Sequence, residues 1–271
     1  MTRFTPALLL ALAAPPLAGG LGDAFGLASQ PAPLAGGLGD AFGLASQPAQ
    51  AAADWPQLHG PARDGHSAET GLTWDWPKDG PPVAWKRDVG RGWASPVVSG
   101  GSLVLFHRVD DEEVVACLDA ATGKERWKLA YPTKYRDDFG FDDGPRATPT
   151  VSAGAVYTLG AAGDLSATAL ATGEKLWARN LVAEYKPAKG FFGVACSPLV
   201  AGKRIYVNVG AKGAGAVCFD TATGKEVWKS TDDGASYSSP VLGEFDGKQA
   251  VVFLTRAGLR VLDPESGKSL Y

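Results

Sequence analysis

Cysteine is scarce in this chain of 271 residues. The three present, Cys117, Cys196 and Cys218, are odd in number. Cys117 and Cys218 occupy the same place in two copies of a recurring motif, too far apart for a bridge that needs Cα atoms within about 7 Å. A disulfide framework is therefore excluded, and these two read as buried small hydrophobes. Histidine is equally rare. His59, His66 and His107 have no serine, cysteine or carboxylate partner at a spacing that would name a triad, so each takes a surface or packing role. There is no excess of positive charge: 26 Lys and Arg stand against 29 Asp and Glu, for a net charge of -3. That balance excludes a basic patch for nucleic acid or anionic lipid. Past the N-terminus no apolar run is long enough to span a membrane. What remains, 45% hydrophobic and 20% charged, is the composition of a soluble domain.

The first 53 residues stand apart. Met1-Thr2-Arg3 followed by PALLLALAA is a basic start with a short apolar core, as in a secretory signal, which predicts a periplasmic or secreted protein. Residues 16–32 then recur without change as 33–49. This Ala/Gly/Pro-rich tract carries no strand pattern, so residues 1–53 are expected to be removed or disordered. Residues 54–80 follow as an N-terminal extended segment.

The strongest signal is internal repetition. CLDAATGKERW at 117–127 returns as CFDTATGKEVW at 218–228, and more weakly as ATALATGEKLW at 167–177 and VLDPESGKSLY at 261–271. The motif glycines Gly123, Gly173, Gly224 and Gly267 are separated by 50, 51 and 43 residues. A Ser/Thr-Pro pair keeps the same beat at Ser95, Thr148, Ser197 and Ser239. Periods of this length mark units that bury their apolar faces only by stacking on neighbours. Short β-branched and aromatic runs between Gly, Asp and Thr clusters predict four antiparallel strands per repeat, making each repeat a propeller blade. In the motif, Asp119, Asp220 and Asp263 are turn residues expected to accept backbone hydrogen bonds two residues on, and the glycines supply positive φ. Trp127, Trp177 and Trp228 are placed to dock on the adjoining blade, each burying on the order of 200 Å².

The repeated A-x-T-G-K-x-x-W with its preceding Ser-Pro strand resembles the PQQ-like (quinoprotein alcohol dehydrogenase-like) β-propeller repeat over about 55–271, and more distantly the BamB-type outer-membrane assembly factors. The opening DWPQLHGPARDGHS looks like the start of the mature domain in secreted bacterial members. The resemblance implies an all-β, PQQ-like β-propeller of eight four-stranded antiparallel blades. Only about four are present, over about 93–131, 146–181, 195–231 and 237–271, with a closing strand at 81–90 that carries Trp85 and has no blade before it. The chain is therefore expected to be part of a longer propeller, rather than a half-ring closed by a second copy. The resemblance covers dehydrogenases as well as assembly factors. Against the former stands the absence of the vicinal cysteine pair over the cofactor. Against the latter stands the absence of a lipid-anchor cysteine before Cys117.

Candidate site residues lie on the loops that enter the innermost strands, which a propeller gathers at one mouth of its channel. Trp93, Arg146, Phe191, Phe192, Tyr237 and Ser238 supply aromatic, cationic and hydroxyl groups there, with Phe141 and Arg91 nearby. The plainer expectation is that these aromatics plug the channel and pack blades together. Cys196, at the head of an inner strand, is a candidate thiol. Asp137, Asp138, Asp142 and Asp143 fall within seven residues and are a candidate set for a hard cation such as calcium, or a solvated acidic loop beside Arg136 and Arg146. No catalytic residue can be named. The expected function is a non-enzymatic binding or scaffold module for a protein, peptide or glycan, with no cofactor. The alternative is a quinoprotein-like oxidoreductase using PQQ and calcium on an alcohol or sugar.

Overall fold

A computed structural model describes residues 54–271; the signal-like start and the duplicated tract lie outside the described residues. Among the described residues, fifteen strands form four antiparallel sheets. The first comprises β1 (Val97–Ser99), β2 (Ser102–Val109), β3 (Glu112–Asp119) and β4 (Glu125–Pro132). The second comprises β5 (Thr150–Ser152), β6 (Ala155–Leu159), β7 (Asp164–Ala169) and β8 (Lys175–Asn180). The third comprises β9 (Leu199–Ala201), β10 (Arg204–Ala211), β11 (Ala214–Asp220) and β12 (Glu226–Ser230). The fourth has three strands, β13 (Val241–Phe245), β14 (Lys248–Thr255) and β15 (Gly258–Leu262), and a single bridge from Leu262 to Ser269 stands where a fourth would begin. Each sheet is a meander with its shortest strands innermost in the first three blades. A five-residue helix, α1 (Leu181–Tyr185), follows β8 and is capped by Asn180 Oδ1 accepting from the Ala183 amide at 2.8 Å.

Because blades stack face to face, the middle strands are buried on both sides and read as continuous apolar runs. On β2, Leu103 and Leu105 face Trp85 and Val89, while Val104 and Phe106 face Val151 and Val156 of the second blade. Further cores form in the same way, around Leu159, Ile205 and Phe219 between blades two and three, and around Tyr206, Cys218 and Phe253 between three and four.

Two latches repeat at every blade junction. At the outer edge, each motif tryptophan lies over the motif glycine of the following blade. Trp127 covers Gly173, Trp177 covers Gly224 and Trp228 covers Gly267, where a Cβ would fall 2.5 to 2.7 Å from the indole. The indole N–H of each then donates to a carbonyl of that turn: Leu170 O at 2.7 Å, Thr221 O at 2.9 Å and Pro264 O at 2.9 Å. Trp85 makes the same contacts with Gly123 and Ala120 O, so the segment before the first blade docks as a preceding blade's outer strand would. The glycine thus meets two demands at once, a positive φ and a bare face for the indole. The turn aspartates all bond three residues on: Asp119 Oδ1 accepts from both N and Oγ1 of Thr122, and Asp220 does the same with Thr223. Asp263 bonds Ser266 likewise and also takes Glu265 N.

At the inner edge, the hydroxyl before each proline is an acceptor for its predecessor. Ser95 N donates to Thr148 Oγ1, Thr148 N to Ser197 Oγ, and Ser197 N to Ser239 Oγ, at 3.2, 2.9 and 2.8 Å. The N-terminal segment adds a staple across the same edge. Trp55 pairs with Val98, Pro56 O accepts from Val151 N, and Arg63 donates to Pro198 O and Pro240 O. One stretch therefore touches the inner strand region of all four blades. It turns rather than running extended, with His59 and Arg63 at positive φ. Desolvation brings the Arg63 guanidinium down to about 10, opposed by the neighbouring Cys196 thiol.

Glu113 is fully buried at the first junction. Its Oε1 accepts from Ala161 N of the second blade at 3.0 Å, and Oε2, pressed against Gly160, has no hydrogen bond of normal geometry. Desolvation raises its pKa above the ordinary 4.5, with the Ala161 amide pulling the other way.

Two outcomes follow for unfolding experiments on this chain. Gly224→Ala combines left-handed backbone strain with a methyl driven into Trp177, and lowers the unfolding free energy by about 2–4 kcal/mol in denaturant titration; an unchanged midpoint would show that the latch carries no stability. For Glu113 the folded protein holds its proton to higher pH than the unfolded chain, so stability falls as pH rises from about 4.5 to the raised folded value. Glu113→Gln removes that fall, which is read by comparing unfolding midpoints of the two proteins at pH 4 and pH 8.

Candidate functional site

The loops that lead into the inner strands meet in sequence order at one end of the blades. Gly92 N donates to Asp142 Oδ2 at 3.3 Å and Trp93 N to Pro145 O at 2.8 Å, joining the first loop to the second. Lys189 and Asp138 join the second to the third at 2.6 Å. Phe192 N donates to Tyr237 Oη at 3.3 Å, joining the third to the fourth.

Aromatic rings follow the same line. Phe139 contacts Phe141, Phe191 and Phe192 at centroid distances of 6.2, 5.6 and 5.9 Å, and Phe192 contacts Tyr237 at 5.3 Å. Arg146 spreads its guanidinium between Phe192 and Tyr135, about 5.4 and 5.5 Å from their centroids. Within the described residues, Phe141, Phe191 and Phe139 are 70%, 57% and 54% exposed.

The structure thus brings together Arg146, Phe191, Phe192 and Tyr237 of the predicted residues. Trp93 is 67% exposed and makes no ring pair with them. Ser238 turns away: its Oγ bonds Leu254 O at 2.8 Å and shares a hydrogen bond with Ser236. Phe139 was missed as a site residue because a single Phe among aspartates has no periodic signal.

Loop 137–146 is held from below by a residue that the sequence hid inside a strand. Arg108 is 2% exposed. Its Nη1 donates to Tyr135 O and Asp143 O, its Nε to Asp110 O and its Nη2 to Asp111. Within the loop the four aspartates do not converge as a cation site. Asp137 has a buried carboxylate that accepts from the amides of Phe139, Phe141 and Asp142, with Arg146 at 3.6 Å. Burial works to raise its pKa, yet these donors outweigh it and the net shift is downward. Asp143 accepts from Asp137 N and pairs with Arg91. Asp142 accepts from Gly144 N and Gly92 N, and Asp138 pairs with Lys189. Among the described residues no group of three or more His, Cys, Asp or Glu is arranged to hold a metal. Each carboxylate fixes loop backbone or a cation instead.

Beside the aromatic cluster lies a cavity of about 400 Å³ between the second, third and fourth blades. Lys134, Tyr135, Lys189, Asn208, Tyr237 and Arg256 are its polar and aromatic lining, set among Gly, Ala, Val and Pro. Asn208 lies in its wall, 2% exposed, with Nδ2 on Leu254 O at 3.2 Å and Oδ1 without a hydrogen-bond partner. Cys196 sits behind that wall, its Sγ 3.7 Å from Asn208 O. Burial pushes its thiol up to about 11, so it is an inert packing group. Of the histidines, His107 accepts from Gly90 N and His66 lies 3.3 Å from Asp64.

Among the described residues no helix is long and apolar enough to cross a membrane. No curated protein matches the chain in sequence. Three similar solved structures are BamB from Moraxella catarrhalis (19% identity, TM-score 0.48, 70% of this chain and 51% of that one), quinohemoprotein alcohol dehydrogenase from Comamonas testosteroni (21%, 0.56, 80% and 40%) and a europium-containing methanol dehydrogenase (15%, 0.50, 72% and 45%). The chain spans about half or less of each, and at these identities the two dehydrogenases speak for the propeller fold alone. The profile of the family described as outer membrane protein assembly factor BamB matches residues 78–190 and 111–270. With its blades latched tryptophan on glycine, this chain belongs to that family of PQQ-like repeat β-propellers.

Proposed function

We propose that this chain is an exported binding module that receives a segment of a polypeptide partner across its aromatic loop face. The observation that carries the reading is the cluster of exposed Phe139, Phe141, Phe191 and Tyr237 around the half-buried Phe192, with the loop of Phe139 and Phe141 fastened from below by Arg108 and Asp137. Rigid, exposed rings clustered beside a cavity are the composition of an interaction site rather than of a solvated surface. The family's description, which names protein assembly, favours a polypeptide over a glycan.

Against a PQQ and calcium site stands the donor chemistry. The cavity lining contains no carboxylate, either to bind calcium or to act as a base, and the nearby aspartates are engaged with backbone amides and cations. That lining favours a polypeptide over the cofactor pair.

Selection of a displayed peptide library on the full chain tests the proposal. Enriched peptides bind the native protein and lose at least about tenfold in affinity on Phe139→Ala/Phe192→Ala, in line with the weight of aromatic anchors at interfaces. Equal affinity for the double variant, or dye-linked oxidation of an alcohol after addition of PQQ and calcium, would sink it.

A further inference from the structure

The lining of the 400 Å³ cavity is charged with one sign only. Lys134, Lys189 and Arg256 stand around it and no Asp or Glu does, in a chain whose net charge is -3. Two of the three cations are uncommitted. Arg256 uses its Nε on Ala235 O at 3.0 Å, and no ion pair is formed by Arg256 or by Lys134 among the described residues. Lys189 is held by Asp138. The rest of the wall is small and apolar, apart from Tyr135, Tyr237, Ser236 and Asn208. Tyr237 belongs to both the cavity and the aromatic cluster, so an occupant of one lies against the other.

On these grounds we infer that the cavity takes a carboxylate of the bound polypeptide, presented beside an apolar or aromatic residue. Two guanidinium nitrogens of Arg256 and the ammonium of Lys134 meet the carboxylate. The apolar neighbour lies on Tyr237 and Phe192. Positive charge at the mouth of a low-dielectric pocket also concentrates anions there before contact. The inference rests on the proposed binding face and specifies what that face selects.

The test compares two dipeptides that differ only in charge, N-acetyl-Glu-Tyr-amide and N-acetyl-Gln-Tyr-amide, titrated into the full chain by ligand-detected NMR. The Glu peptide is expected to bind at least about tenfold tighter at low salt, with the preference shrinking at about 0.5 M salt as screening requires. Lys134→Gln/Arg256→Gln is expected to bring the two peptides within about twofold of each other. N-acetyl-leucine against its carboxamide distinguishes a chain-terminal carboxylate from an acidic side chain as the source. Equal binding of Glu and Gln peptides overturns the inference. If both are then lost on Phe139→Ala/Phe192→Ala, the aromatic binding face survives without the charge selection. A charge preference that persists in the double variant, or no binding of either dipeptide, also overturns it.

Discussion

The fold depends on one contact, made at each blade junction: an indole ring laid on a glycine of the next blade, with its N–H bonded to that blade's turn. Each half of the contact needs the other. The turn needs a residue at positive φ, which glycine supplies, and the same missing Cβ leaves the flat face that the ring covers. Four such contacts run from Trp85 to Gly267. Each joins consecutive repeats, so this contact acts between neighbouring blades, as in other repeat architectures.

The inner edge is organised by a second and chemically different device. A proline cannot donate from its backbone, so the hydroxyl before it becomes the useful polar group, and it accepts from the preceding blade. Arg63 then bridges the carbonyls of Pro198 and Pro240 from the N-terminal segment. With both edges fixed, the loops at one end of the blades are held in a constant relation. Arg108, through Tyr135 O and Asp143 O, and Asp137, through the amides of Phe139, Phe141 and Asp142, turn that relation into a defined surface. Charge in this loop serves geometry, and the aromatic rings beside it are left exposed.

Much of the fold was legible because it is periodic. The motif spacing gave the blades, and the β-branched runs gave strands buried on both faces. Trp85 could be identified as a docking residue by likeness to its three successors. The site was legible only in part. Arg146, Phe192 and Tyr237 could be gathered because the propeller rule brings loops together. Phe139, Arg108 and Glu113 could not, since nothing in a single strand or loop says that an Arg amid apolar residues will anchor a loop, or that one of two adjacent glutamates will be buried in the next blade.

The sequence by itself determined the class of unit, its period, and the residues that close each turn, because these follow from local conformational preference and from repetition. Tertiary structure alone decided what the polar groups do. Whether four neighbouring aspartates converge on a cation or diverge onto amides depends on where the loop backbone runs, and that path is set by Arg108, some 30 residues away in the chain. It likewise decided that three cations and no carboxylate surround the cavity, since Lys134, Lys189 and Arg256 come from separate loops. Local rules shape a blade, while the chemistry of the face arises where blades meet.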